Sequence, residues 1–274
     1  VTATTIAGGC QVRIALCQIV SGPEPQANLD LVADGIRRAA EAGAELAVFP
    51  EATMACFGVK LGPLAEPLDG PWATGVRRLA EQAGIAVVAG MFTPTDDGRV
   101  TNTLLVTGRG TDTHYDKVHL YDAFGFSESR TVAPGDKPLT VDLGGMRIGV
   151  ATCYDIRFPG LYTTLAEQGA SVIVTPASWG AGEGKREQWE LLVRARALDS
   201  TAWVLGCGQA DPLSIGRQPS GKAPTGIGYS TVATPLGRIH DQLDAEPGVL
   251  ITDVDPVEVE QVRGSLPVLS NRRF

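Results

Sequence analysis

Apolar and polar positions along the chain fall into two kinds of segment that alternate from end to end. Short runs such as Val12 to Ile19, Glu45 to Phe49 and Ile85 to Gly90 are dominated by Val, Ile, Leu and Ala and predict strands of a largely buried sheet. Between them, Asn28 to Ala42 and Gly70 to Ala83 predict helices with one apolar face. In the second helix that face is Trp72, Val76, Leu79 and Ala83. Pro71 stands in its first turn, where the missing N–H would have had no helical acceptor. Thr111 to Asp116 and Met146 to Thr152 read as further strands, and a helix is expected to start near Pro159. Strands alternating with helices specify an α/β chain.

Three segments recur in the same order. Arg13-Ile14-Ala15-Leu16-Cys17-Gln18 is echoed by Arg147-Ile148-Gly149-Val150-Ala151-Thr152. The run from Gly43 to Pro50 is echoed from Gly169 to Pro176, and that from Ile85 to Gly90 from Ala202 to Cys207. Three matches in register imply two related β-α-β-α-β halves, hence two facing sheets with helices outside. If the halves pack with pseudo-twofold symmetry, the carboxyl ends of equivalent strands meet, where α/β folds place their sites. Glu51 and Cys153 both stand at such ends.

Composition narrows the partners. The 274 residues carry a formal charge of -8, with Lys and Arg scattered, which argues against nucleic acid or an anionic membrane surface. No run approaches the roughly 20 apolar residues that cross a bilayer. With 43% hydrophobic residues the chain has material for a sizeable core. The expected organisation is one domain over 1–274, with a flexible arm at 1–11. The five cysteines, Cys10, Cys17, Cys56, Cys153 and Cys207, are odd in number, dispersed and without a C-x-x-C pair, which suits a reducing cytoplasm better than a disulfide framework or a zinc cage.

At Cys153 an apolar strand stops abruptly at Tyr154-Asp155. A strand-to-helix elbow exposes its side chain and aims backbone N–H groups at whatever that side chain attacks. A thiol attacking an amide needs a base. His114, His119 and His240 keep a Cys-His pairing open, but Glu51 is the candidate at a second strand end, where a carboxylate can take the thiol proton. Lys117, after the strand Thr111 to Asp116, would place an ammonium near a developing oxyanion.

Taken together, Phe49-Pro50-Glu51, then Tyr115-Asp116-Lys117-Val118-His119-Leu120, then Thr152-Cys153-Tyr154-Asp155-Ile156-Arg157-Phe158-Pro159 resemble the nitrilase superfamily of carbon-nitrogen hydrolases. The resemblance runs from about Val12 to Arg273. It implies a four-layer αββα sandwich and an amidohydrolase with Cys153 as nucleophile, Glu51 as general base and then acid, and Lys117 as oxyanion stabiliser. It also implies that Glu128 helps hold the catalytic cluster, that the Tyr154 N–H completes the oxyanion hole, and that no metal or organic cofactor is required. A homodimer or higher homo-oligomer is implied as well, with 256–274 at the interface.

The box around Cys153 and the Leu266-Pro267-Val268 ending look most like the branch holding omega-amidases and deaminated glutathione amidases, which act on small dicarboxylic acid monoamides. Where those enzymes often read Gly-His-Ser and Ala-Phe, this chain has Gly228-Tyr229-Ser230 and Ser178-Trp179. Trp179 and Phe57 are expected to shape the acyl side. Arg157 is a candidate for a substrate carboxylate, or else pairs with Asp155. A nitrilase or an N-carbamoyl amino acid hydrolase on the same fold is the alternative chemistry; a catalytically idle scaffold subunit is the alternative class. Gly216 to Ala223 nearly spells a phosphate-binding loop, but Ala223 replaces the Mg²⁺-binding hydroxyl and Pro224 follows where a helix should propagate.

Overall fold

The protein is described by a computed structural model over residues 11–123, 125–219 and 223–273. The expected N-terminal arm, except Gln11, and Ser220-Gly221-Lys222 of the phosphate-loop lookalike lie outside the described residues.

The first half runs β1 (Val12–Gln18), α1 (Pro25–Glu41), β2 (Leu46–Val48), α2 (Pro71–Ala83), β3 (Ala86–Pro94), β4 (Val100–Gly108) and β5 (Thr111–Asp116). Helix α1 starts at Pro25 rather than at the expected Asn28, because proline already holds the helical φ. The Asn28 side chain instead bridges Gly22 and the Met54 carbonyl. A connecting stretch holds β6 (Asp122–Ala123), β7 (Phe126–Ser127) and β8 (Val132–Ala133). The second half runs β9 (Leu139–Leu143), β10 (Met146–Val150), α3 (Pro159–Glu167), β11 (Val172–Ala177), α4 (Lys185–Ser200), β12 (Trp203–Gly208), β13 (Thr231–Ala233) and β14 (Ile239–Gln242). Last come β15 (Gly248–Val254), α5 (Pro256–Ser265) and α6 (Val268–Asn271).

The repeated sequence is a repeated topology. Strands β1, β2 and β3 are parallel, with β4 and then β5 returning antiparallel beside β3. Strands β10, β11 and β12 are parallel, with β13 and then β14 returning beside β12. An antiparallel strand flanks each first strand: β9 beside β10, and β15 beside β1. Since β15 comes from the far end of the chain, the second half finishes the first half's sheet.

Side-chain alternation assembles the layers. Val12, Ile14 and Leu16 of β1 point at the other sheet and pack in one cluster with Ile148, Val150, Val174 and Leu205. The intervening Ala15 and Cys17 pack with Val32 and Ile36 of α1 and Trp72 and Val76 of α2. Across the molecule, Ile173 and Val204 meet Tyr162 and Leu165 of α3 and Trp189 and Val193 of α4. The fold is a four-layer αββα sandwich. Strands buried on both faces read as continuous apolar runs, which is the pattern of the sequence. No helix among the described residues is long and apolar enough to cross a membrane.

Candidate active site

The turn after β2 is fastened to β3. Phe49 N–H donates to Val88 O at 2.7 Å, Met54 N–H to Gly90 O at 2.9 Å, and Ala52 takes a left-handed φ of 57°. A Cβ on Gly90 would stand 2.6 Å from Ala52 N and 2.7 Å from Pro50 O, so only glycine lets the turn lie this close. Glu51 is thereby carried into the interior, fully buried. Its Oε1 accepts from Lys117 Nζ and Asn102 Nδ2, each at 2.8 Å, and its Oε2 from the Ser178 N–H at 2.8 Å.

Lys117 follows β5 and is held by its backbone, its N–H donating to Asn102 O at 2.9 Å and its carbonyl accepting from Gly135 N–H at 2.8 Å. Its ammonium also reaches Glu128, at 3.0 Å to Oε2 and 3.2 Å to Oε1. Glu128 opens the short 3-10 turn Glu128–Arg130 and accepts in addition from the Tyr121 N–H at 2.6 Å and from Asn102 Nδ2 at 3.1 Å. Buried carboxylates are tolerated only when so paired. Burial works against the Lys117 ammonium, but Glu51 and Glu128 outweigh it and hold its pKa well above the ordinary lysine value.

Cys153 comes from the other sheet. Strand β10 ends at Val150, Cys153 takes a φ of 43°, and a 3-10 turn over Cys153–Arg157 leads through Phe158 into α3, which opens on Pro159. A positive φ at a non-glycine residue is uncommon and concentrates at functional sites. Burial pushes the Cys153 thiol well above its ordinary range; Glu51 adds to this through its charge and a hydrogen bond, and Lys117 opposes it. Among the other thiols, burial takes Cys17 up to about 12 and Cys207 well above its usual value, while Cys56 is half-buried.

The elbow is tied down by Asp155, which is fully buried and accepts four hydrogen bonds. Its Oδ2 takes the Tyr115 hydroxyl at 2.7 Å and the Thr152 N–H at 2.9 Å; its Oδ1 takes the His119 N–H at 3.0 Å and His119 Nδ1 at 2.7 Å. Arg157 therefore does not pair with Asp155, whose two oxygens are already occupied. It donates to Gln188 Oε1 at 2.8 Å and lies 5.3 Å from the Trp179 ring.

A small cavity of about 30 Å³ brings the expected residues together: Glu51, Lys117, Glu128 and Cys153 line it, and so do Phe57, Tyr154, Arg157 and Trp179. Ser178, noted in the sequence as part of the departure at Ser178-Trp179, lines it too, as do Tyr121, Phe126 and Lys185, which were not singled out from the sequence. Nor was Asn102, which bridges the two glutamates. It stands in the Val-Thr-Asn-Thr start of β4, where the sequence alone does not set it apart from a solvated strand residue. Among the described residues no group of three or more His, Cys, Asp and Glu side chains is placed to hold a metal ion. A thiol, a carboxylate and an ammonium converging on one small cavity can attack a carbonyl, move the proton and stabilise the oxyanion.

Known proteins are similar to this chain over most of its length. The carbon-nitrogen hydrolase profile matches residues 13–264. A Mycobacterium tuberculosis protein named as a hydrolase is 57% identical over 267 residues, covering 95% of each chain. The deaminated glutathione amidase of Escherichia coli O157:H7 is 35% identical over 256 residues, covering 90% of this chain and 92% of its own. Among solved structures, the amidase of Nesterenkonia sp. AN1, a nitrilase-superfamily protein, is similar with a TM-score of 0.80 and 25% identity, covering 99% of this chain and 97% of that one. That structure is of a Glu-to-Gln variant of the amidase, with the acetamide moiety of fluoroacetamide covalently added at the active-site cysteine.

Proposed function

This chain belongs to the carbon-nitrogen hydrolase family, and on that premise we propose that it is an amidase that cleaves a small-molecule carboxamide to acid and ammonia through a thioester on Cys153. The observation that carries this reading is the elbow thiol facing the Glu51-Lys117-Glu128 cluster in one cavity.

Because the thiol is held protonated by its surroundings, a free thiolate is a poor resting state. Glu51 takes the proton as sulfur attacks the amide carbon, and the carbonyl oxygen becomes an oxyanion beside the Lys117 ammonium. The Tyr154 N–H, in the first turn of a helix where amides have no intrahelical acceptor, supplies the second donor. Glu51 returns its proton to the amide nitrogen, the carbon-nitrogen bond breaks and ammonia leaves. Water, deprotonated by Glu51, then attacks the thioester, the acid departs and the proton ends on sulfur. Glu128 keeps Lys117 charged and in place throughout. Trp179, Phe57, Tyr154 and Arg157 line the acyl side. A cavity this small seats the reacting carboxamide, with the rest of the substrate toward the mouth.

Ammonia release from ω-amides, simple amides, nitriles and N-carbamoyl amino acids tests the reading with wild type and Cys153→Ala. Release from carboxamides that vanishes in the variant is the expected result. Turnover of nitriles or carbamoyl compounds alone would replace the substrate class. Silence across the panel, with Cys153 alkylated no faster than Cys17, Cys56 and Cys207, would favour a scaffold.

A further inference from the structure

We propose that Asp155 is a positioning residue: its carboxylate fixes the placement of Lys117 relative to Cys153 by joining the two segments that carry them. This rests on the roles proposed above for those two residues.

The need for such a device follows from the topology. Lys117 belongs to the sheet of β1 to β5, and Cys153 to the sheet of β9 to β14. What joins the sheets is mostly apolar packing, which is strong but non-directional. A misplacement of 1 Å at a reacting centre can cost about 10²-fold in rate. Something directional has to cross between the sheets at the site.

Asp155 does so with both oxygens. Three of its four donors, the Tyr115 hydroxyl, the His119 N–H and the His119 ring, come from residues two before and two after Lys117. The fourth is the N–H of Thr152, immediately before Cys153, and Asp155 itself shares the 3-10 turn with Cys153. Burial and the adjacent Asp155 charge keep the Tyr115 phenol protonated, so it is the donor. The His119 ring is further held by stacking on Phe158, with centroids 3.8 Å apart and planes 7° from parallel. Two further polar ties cross at the site, Ser178 N–H to Glu51 Oε2 and Gln209 Nε2 to Glu51 O, and both hold the base and not the ammonium.

A purely structural bond would be equally buried, and the protein supplies one as a control. The Tyr162 hydroxyl meets Thr175 Oγ1 at 2.8 Å, with both residues fully buried and both in the elements of the second half. Tyr115→Phe and Tyr162→Phe each delete one hydroxyl. Two readouts separate positioning from support: kcat against KM on an amide the wild type turns over, and the pH midpoint of Cys153 alkylation by iodoacetamide, which needs no turnover. The charged groups facing Cys153 are Glu51, Lys117 and Glu128, with Tyr121, Lys185 and Tyr162 acting from further out; burial keeps the Tyr162 phenol protonated, so deleting its hydroxyl removes no charge. Of the three, Lys117 is the one that lowers the thiol pKa. Loosening Lys117 therefore moves the alkylation midpoint to higher pH.

The expected result for Tyr115→Phe is a fall of about tenfold in kcat with KM unchanged and an upward shift of the alkylation midpoint, with Tyr162→Phe matching wild type in both. Asp155→Asn, which cannot accept at both ends, should fall further in kcat. The proposal is overturned if Tyr115→Phe and Tyr162→Phe behave alike, or if the Tyr115→Phe midpoint stays at the wild-type value. An inactive wild type would instead remove the amidase reading, while the alkylation midpoints would still decide the placement of Lys117.

Discussion

Arg13 on β1 and Arg147 on β10 make the same contacts in the two halves. Arg13 clasps Asp253 of the flanking antiparallel strand with Nε and Nη2 at 2.8 and 3.0 Å, and Nη1 reaches Ala42 O, just past α1. Arg147 clasps Asp142 of its flanking strand at 2.8 and 2.7 Å, and Nη1 reaches Gln168 O, just past α3. At the other ends of the same strands the likeness stops. Continuing the sequence echo by one residue sets Ile19 against Cys153, and Glu51 against Ala177. Each half thus offers one reactive strand end and one inert counterpart, and the inert ones are different ends. The scaffold is symmetric and the chemistry is not: the first half and the connecting stretch supply carboxylates and ammonium, the second the thiol and its elbow. Catalysis then depends on how accurately the halves meet, which is why the polar ties between them matter.

The largest effect outside Cys153 itself should come from the reactive end of the first half. Glu51→Gln keeps the shape and removes the proposed base, and turnover should fall about 10²- to 10⁴-fold. The thiol should respond in the opposite sense. Glu51 raises the Cys153 pKa by charge and by a hydrogen bond, so its loss should move the alkylation midpoint to lower pH. A variant slower in turnover yet more readily alkylated near neutral pH would separate the base from the nucleophile. A midpoint that stayed put or rose would mean that Glu51 does not act on the thiol.

Smaller effects should come from the packing that each half does for itself. A Cβ on Gly206 of β12 would stand 2.5 Å from Trp189 Cζ2, and one on Gly35 of α1 would stand 2.6 Å from Phe49 Cε1, with both rings fully buried. Overpacking of this kind costs about 1–3 kcal/mol. In α1 the change also replaces a helical glycine by alanine, which returns up to about 1 kcal/mol. Gly206→Ala should therefore destabilise more than Gly35→Ala in urea unfolding. The reverse order would show that the first half yields less readily around its helix than the second.

Much of this architecture could be read from the chain because it rests on period and repetition. The segment from Thr111 to Asp116 is a strand over that span, and the Pro71 helix ends at Ala83 as its apolar stripe required. The antiparallel flanks were harder. β15 pairs with β1 across the whole chain, and no local pattern announces a partner so distant. At the site, strand ends pointed to Glu51 and Cys153, whereas Lys117 and Glu128 needed the family resemblance, since a lysine after a strand is usually a surface lysine. Asn102 escaped notice, and Asp155 was read only as part of the polar turn after Cys153 and as a partner for Arg157, because the importance of both lies in what they touch. An asparagine in a strand and an aspartate in a turn have no spacing signature, and only folding sets one between two glutamates and the other between Tyr115, His119 and Thr152.

The smallest expected effect is also the most direct check on the symmetry. Arg13→Ala and Arg147→Ala each remove a two-pronged ion pair on a solvated edge, where water screens the charges and holding two long side chains costs entropy. Neither pair lines the cavity. Both variants should keep wild-type kcat and KM and melt close to wild type, the two alike. Raising the salt concentration should leave even that small difference reduced, and by the same amount in each, because both pairs are exposed. If one variant lost activity while the other did not, the Arg13 and Arg147 contacts would be alike in form only. The strand carrying the affected arginine would then be coupled to the site by a route that apolar packing and the Asp155 tie do not provide.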